Sequence, residues 1–192
     1  MSLEQIITEY GYYAVVFFAC IEGEAAVITA GILASQGLMS IKLVCLSAFI
    51  GTWLWEQFVF FVGRWFGDSI FAKYPKLHEK SQRVFELVRK YDSAYIFSFR
   101  FIYGIRNVSP LIIGCAKVSP KKYCVLNCLA AMIWAIVIPL IGYYFAKTVK
   151  EFFGHEEEYY IIVAIFILLV TIMPYTLYKL HKTRSKNKAN RK

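Results

Sequence analysis

Long apolar runs alternate with short clusters of charge along the chain, and run length sorts the apolar segments into two kinds. Crossing a bilayer takes about 20 apolar residues, and three runs reach that length, roughly Ile41–Val62, Tyr123–Ala146 and Tyr159–Leu180. The other runs are broken halfway. Tyr10–Ile21 is apolar, Glu22-Gly23-Glu24 interrupts it, and Ala25–Leu38 is apolar again. In the same way Ala94–Phe99 and Leu111–Val118 flank the polar stretch Arg100–Pro110. Each half is too short to span the membrane and too hydrophobic for a loop in water. A helical hairpin that enters the membrane, breaks and returns to the same side satisfies both conditions; a pair of spanning helices with polar kinks is the competing expectation. Between the halves, Lys73–Asp92 sets Leu77, Val84, Leu87 and Val88 among Lys76, Lys80, Arg83, Arg89 and Lys90. That pattern predicts a basic amphipathic helix at the membrane surface, with Pro75 at its entry. The expected fold is an all-α polytopic membrane protein. It combines about three spanning helices, a basic surface helix and two opposed re-entrant hairpins in inverted repeat.

Composition agrees with lipid as the solvent. Of the 192 residues 58% are hydrophobic and 18% charged, and the mean hydropathy is +0.50; soluble domains are about 45–50% apolar. The length predicts a membrane domain over residues 1–150, a C-terminal transmembrane helix over 151–180 and a basic tail over 181–192. A net charge of +9 raises nucleic acid as a partner, but the placement of the charge argues against it. Seven of the 22 basic residues lie between Lys179 and Lys192, and seven between Arg64 and Lys90. With that tail in the cytoplasm, the acidic Lys147–Glu158 loop falls outside and Lys117, Lys121 and Lys122 fall inside, as the positive-inside rule requires. The first hairpin then enters from outside and the second from inside, the arrangement of inverted-repeat transporters. Ser40, Cys45 and Trp55 recur as Ser119, Cys124 and Trp134 at a constant spacing of 79 residues, a weak internal echo of that arrangement. The five cysteines all fall in apolar stretches without a CxxC pair, so neither a disulfide nor a metal is expected. Met1–Tyr10 carries Glu4 and Glu9 and no basic residue, unlike a secretory leader.

Charge inside the apolar segments is the candidate chemistry. One charged side chain near the bilayer centre costs about 2.5–3.5 kcal/mol on insertion scales, so Glu22, Glu24, Arg100 and Arg106 together would cost on the order of 10 kcal/mol if unpaired. Such a load implies partners or a purpose. Stapling the two hairpins together is one reading; an ion or headgroup site is the other. Ser109-Pro110 reads as an N-cap followed by proline at the first helical position, with Arg106 just before it. A planar guanidinium there suits a phosphate or carboxylate headgroup. Arg100 and Arg106 are six residues apart, about 240° around an ideal helix, so they converge only if the backbone unwinds near Gly104. Tyr103 and Asn107 lie in that stretch as further headgroup candidates, with packing the alternative. Glu22 and Glu24 bracket Gly23, and burial with mutual repulsion favours proton uptake by one of them. Glu56, inside the first spanning run, is a third proton-coupling candidate, with a pairing to Arg64 as its alternative.

The ordered combination of Glu22-Gly23-Glu24, Ala30-Gly31, Gln36-Gly37, Gly63-Arg64-x-x-Gly67 and Arg100-x5-Arg106 with Pro110 and Gly114 resembles the DedA family of bacterial inner-membrane proteins. Its VTT and SNARE-associated-Golgi-protein-like members are the wider relatives. The match covers residues 10–150. It departs at Tyr103, where many members carry proline, and in the short separation of the hairpin acids. The resemblance implies two opposed re-entrant hairpins in a multi-pass inner-membrane protein. It also implies movement of a phosphorylated lipid carrier such as undecaprenyl phosphate, coupled to protons or sodium ions. By position it carries the hairpin acids onto Glu22 and Glu24 and the paired arginines onto Arg100 and Arg106. Ser109 joins the headgroup candidates.

Three other functions compete. An uncoupled glycerophospholipid scramblase would use the same groove, and an assembly protein would need only the charge staple. A lipid phosphatase would want a nucleophile and base, but His78, His155 and His181 all fall in loops or the tail of this topology. The expectation is therefore a transporter and not an enzyme, with lipid headgroups as partners, no cofactor, no nucleic acid, and a homo-oligomer left open.

Overall fold

A computed structural model describes residues 3–21, 24–73, 75–101, 106, 108–153, 161–162 and 164–169. Six helices fill most of that length: α1 (Leu3–Ile21), α2 (Glu24–Ser35), α3 (Ile41–Lys73), α4 (Pro75–Ser98), α5 (Ser109–Cys115) and α6 (Pro120–Phe153), with a 3-10 turn at Phe99–Phe101 after α4. There is no strand among the described residues. Within α3 and α6, Ile41–Gly67 and Pro120–Phe152 are long and apolar enough to cross a membrane. The third predicted span, Tyr159–Leu180, lies mostly outside the described residues. Of its described part, Ile162, Phe166 and Ile167 pack against Ile28, Ile32, Ala146 and Val149.

Polarity runs inside-out relative to a soluble protein. Phe17, Phe58, Trp65, Val125, Leu129, Ile136 and Ile141 stand exposed on the bundle surface, while Thr52, Glu56, Arg100, Ser109 and Asn127 are buried within it. Water would penalise that outer face, and lipid does not. The polar groups collect in the interior because each can find a partner only there.

Two of the expected boundaries shift. Ala94–Phe99, expected as a separate hairpin arm, is the continuation of α4 and its 3-10 turn. The basic helix therefore does not stay at the surface. Its lysines and arginines end at Lys90, and Val88, Tyr95 and Ile96, with Phe99 of the 3-10 turn, are buried against Phe60, Ile113 and Tyr123. The second shift concerns Ser109, expected as a helix cap. The cap of α5 is Val108, with no side-chain cap bond, and the Ser109 hydroxyl instead shares a 3.0 Å hydrogen bond with the Tyr95 hydroxyl. The physical reason is burial: Ser109 is fully enclosed, and a buried hydroxyl takes the partner facing it.

The main packing seams cross between the two halves of the chain: α2 lies along α6, and α5 lies along α3. Both seams are built the same way. A Cβ on Gly31 would run into the carbonyl oxygen of Pro139, and one on Gly142 into that of Ile28. A Cβ on Gly114 would run into the carbonyl oxygen of Phe60, and one on Gly63 into that of Leu111. The helices thus touch backbone to backbone, the close approach that small residues allow in lipid. Corresponding partners are evenly spaced, Phe60 to Pro139 and Gly63 to Gly142 by 79 residues, Ile28 to Leu111 and Gly31 to Gly114 by 83. Because carbonyls on rigid helices cannot swing aside, Gly31→Val and Gly114→Val are each expected to destabilise the protein by about 1–3 kcal/mol, read as a lowered melting temperature in detergent. At Gly37 nothing lies within 4 Å of the Cβ position, and the cost of Gly37→Ala comes instead from the left-handed backbone, φ 83°, that the glycine holds.

Candidate functional site

The interior charges meet where α3, α6 and the turn after α4 cross. Thr52 and Glu56 are one helical turn apart on α3, so they share a face. Arg100, on the 3-10 turn, reaches into that face. Its Nη1 donates to Thr52 Oγ1 at 2.8 Å, and its Nη2 forms an ion pair with Glu56 Oε2. The same Nη2 donates to Asn127 Oδ1 of α6 at 3.2 Å. Both charged side chains of the pair are almost wholly excluded from the surroundings, so each depends on the other for its stability there.

Arg106 forms a second pair, donating from Nη1 to Glu24 Oε1. Glu24 is the first residue of α2, where a carboxylate also meets the positive end of the helix dipole. This pair is less enclosed than the first. The two pairs are joined by Trp134 of α6. The guanidinium carbon of Arg106 lies 5.1 Å from the centre of its ring and that of Arg100 lies 5.9 Å from it, both within cation–π range.

In front of Glu56, a cleft opens between α1 (Ala19, Cys20) and α3 (Thr52, Trp55, Glu56, Val59), closed by Arg106 and Pro110. It encloses ≈ 300 Å³, part of it open to the surroundings.

Of the residues expected from sequence, Glu24, Glu56, Arg100 and Arg106 come together in one cluster. The Ser109 hydroxyl is hydrogen-bonded to Tyr95, and Glu22, Tyr103 and Asn107 lie outside the described residues. Glu56 pairs with Arg100 and not with Arg64, whose Nη1 donates to the Val118 carbonyl at 2.7 Å. Thr52, Asn127 and Trp134 were missed. Asn127 had a usable signal, being the one carboxamide in the run Tyr123–Ala146, where a polar group needs a partner. Trp134 had none, since a tryptophan in a spanning run reads as packing.

An apolar exterior, buried ion pairs at the helix crossing and a small cleft lined by Glu56 and Arg106 define a helical membrane protein with an intramembrane charge site. The chain belongs to the DedA family: residues 21–144 match the VTT domain. It is 30% identical to the inner membrane protein YohD of Escherichia coli over 173 residues, covering 90% of each chain. It is 24% identical to the inner membrane protein YqjA of that species, covering 73% of this chain and 64% of YqjA. Protein DedA of Escherichia coli is 23% identical, with 76% of this chain and 74% of that protein covered. No solved structure matches.

Proposed function

We propose that this protein moves an anionic phosphorylated lipid, of the polyprenyl phosphate kind, across the inner membrane, driven by protons or sodium ions. The observation that carries the reading is the cleft in which Arg106 and Glu56 face one another within an otherwise apolar exterior. An arginine fork there is matched to a phosphate. The headgroup replaces Glu24 on Arg106, and the displaced carboxylate takes up a proton, so that no net charge is stranded in lipid. The chains stay outside, in the bilayer. The reading includes two opposed re-entrant hairpins, α1 with α2 and the end of α4 with α5, in inverted repeat. The like-built glycine seams at spacings of 79 and 83 residues support it, as does the crossing of each short helix onto the other half's long one. A cytoplasmic C-terminus belongs to the same reading and is supported by the basic residues of the tail under the positive-inside rule.

A second reading, a structural staple within an assembly protein, draws support from the fact that both arginines are already paired. Reconstituted protein separates the functions. Flux of a fluorescent polyprenyl phosphate in proteoliposomes should rise when a pH gradient is imposed. Equal flux of phosphatidylcholine with no gradient would point to an uncoupled scramblase, and no flux of either lipid would leave the staple.

A further inference from the structure

Behind the cleft, three buried N–H donors have no acceptor among the described residues: Nε of Arg100, Nδ2 of Asn127 and Nε1 of Trp134. Their residues are 2%, 0% and 2% exposed, so water does not serve them freely. One such orphan costs about 1–3 kcal/mol, and buried donors are nearly always paired. Three in one place call for a cause. They are gathered around a single guanidinium. Asn127 and Trp134 are seven residues apart on α6, two turns along one face, and Arg100 touches Asn127 at 3.2 Å while lying 5.9 Å from the Trp134 ring centre.

The chemistry of the three is one-sided. Each of the orphan atoms donates and none accepts, which suits an acceptor-only group. A metal cation would meet repulsion, and a sugar hydroxyl would leave its own proton unpaired. An oxyanion has acceptors on every side. Resting on the lipid-phosphate reading above, we propose that Arg100, Asn127 and Trp134 form an occluded oxyanion station, one layer deeper than Arg106, for the phosphate monoester of the transported lipid. Thr52 and Glu56 are the partition, because both line the cleft and both hold Arg100 from behind it. When Glu56 lets go of Arg100, the phosphate passes from Arg106 to the inner donors. Two of those donors are neutral, so the station binds by hydrogen-bond geometry with little added charge. Such binding lets an anion enter and also leave, as conduction through successive sites requires.

The test uses the purified full-length protein in detergent and follows its melting temperature with three probes: geranyl phosphate, geraniol and inorganic phosphate. Two variants are compared with the wild type. Asn127→Asp keeps the shape and the Oδ1 that accepts from Arg100, while replacing the donor with a negative oxygen; a residue that only props Arg100 tolerates it. Trp134→Phe removes Nε1 and keeps a ring beneath the arginines, and serves if the aspartate variant does not fold. Geranyl phosphate should stabilise the wild type, and each folded variant should need at least tenfold more of it for the same shift. If wild type and both variants respond alike, the station is overturned while the lipid-phosphate reading stands. If inorganic phosphate matches geranyl phosphate and the variants lose both, the station is supported but its occupant is free phosphate and the lipid assignment falls. If the wild type responds to neither phosphate, the reading and the station fall together.

Discussion

Truncating Glu56 to alanine should destabilise the protein by about 3–5 kcal/mol, the usual cost of orphaning one member of a buried ion pair. Arg100 would then sit in the bundle interior with its charge uncompensated, donating hydrogen bonds among the described residues to the neutral Thr52 and Asn127. Reversible unfolding in mixed micelles measures the loss. The informative comparison is the double variant Glu56→Leu with Arg100→Met. Two apolar side chains of similar volume remove the desolvation cost on both sides, so its stability should return to within about 1–2 kcal/mol of the wild type. Its transport should not return. A pair kept for stability alone would be dispensable in that background; a pair kept for function would not.

Arg106→Lys should lower lipid flux by tenfold or more while shifting the melting temperature by no more than a few degrees. Lysine keeps the positive charge and can keep Glu24 as its partner. It loses the planar fork that matches a phosphate and the flat face that lies over Trp134. A staple requires charge and reach, both of which survive. A headgroup site requires the fork. Flux assays and melting curves on the same preparation therefore separate the staple from the transporter, and equal flux in the two proteins would remove Arg106 as the phosphate ligand.

The class of the protein was legible along the chain because a bilayer constrains sequence in one dimension. Run length and the scarcity of charge are local properties, and Ile41–Val62 and Tyr123–Ala146 fall inside the long apolar helices that the structure contains. The charged candidates were legible for the same reason, since a charge within an apolar run stands out against its neighbours. Boundaries were less so. Ala94–Phe99 looked like a separate arm because the composition changes at Ala94, but helix hydrogen bonding continues through a change of composition, and α4 runs on to Ser98.

What the sequence determined by itself was therefore the solvent, the kind of fold, the family and the presence of an expensive set of interior charges. Pairing was decided by the tertiary structure. Arg64 is eight residues from Glu56 and Arg100 is forty-four, yet the ion pair goes to Arg100, because α5 packs along α3 through Gly63 and Gly114 and brings the turn before it onto Glu56's face. Trp134 beneath both arginines, and the unspent donors of Asn127 and Trp134, exist only once α6 crosses α3. Cost in lipid depends on residue type and can be read in order; which partner meets that cost depends on which backbones approach closely enough to touch.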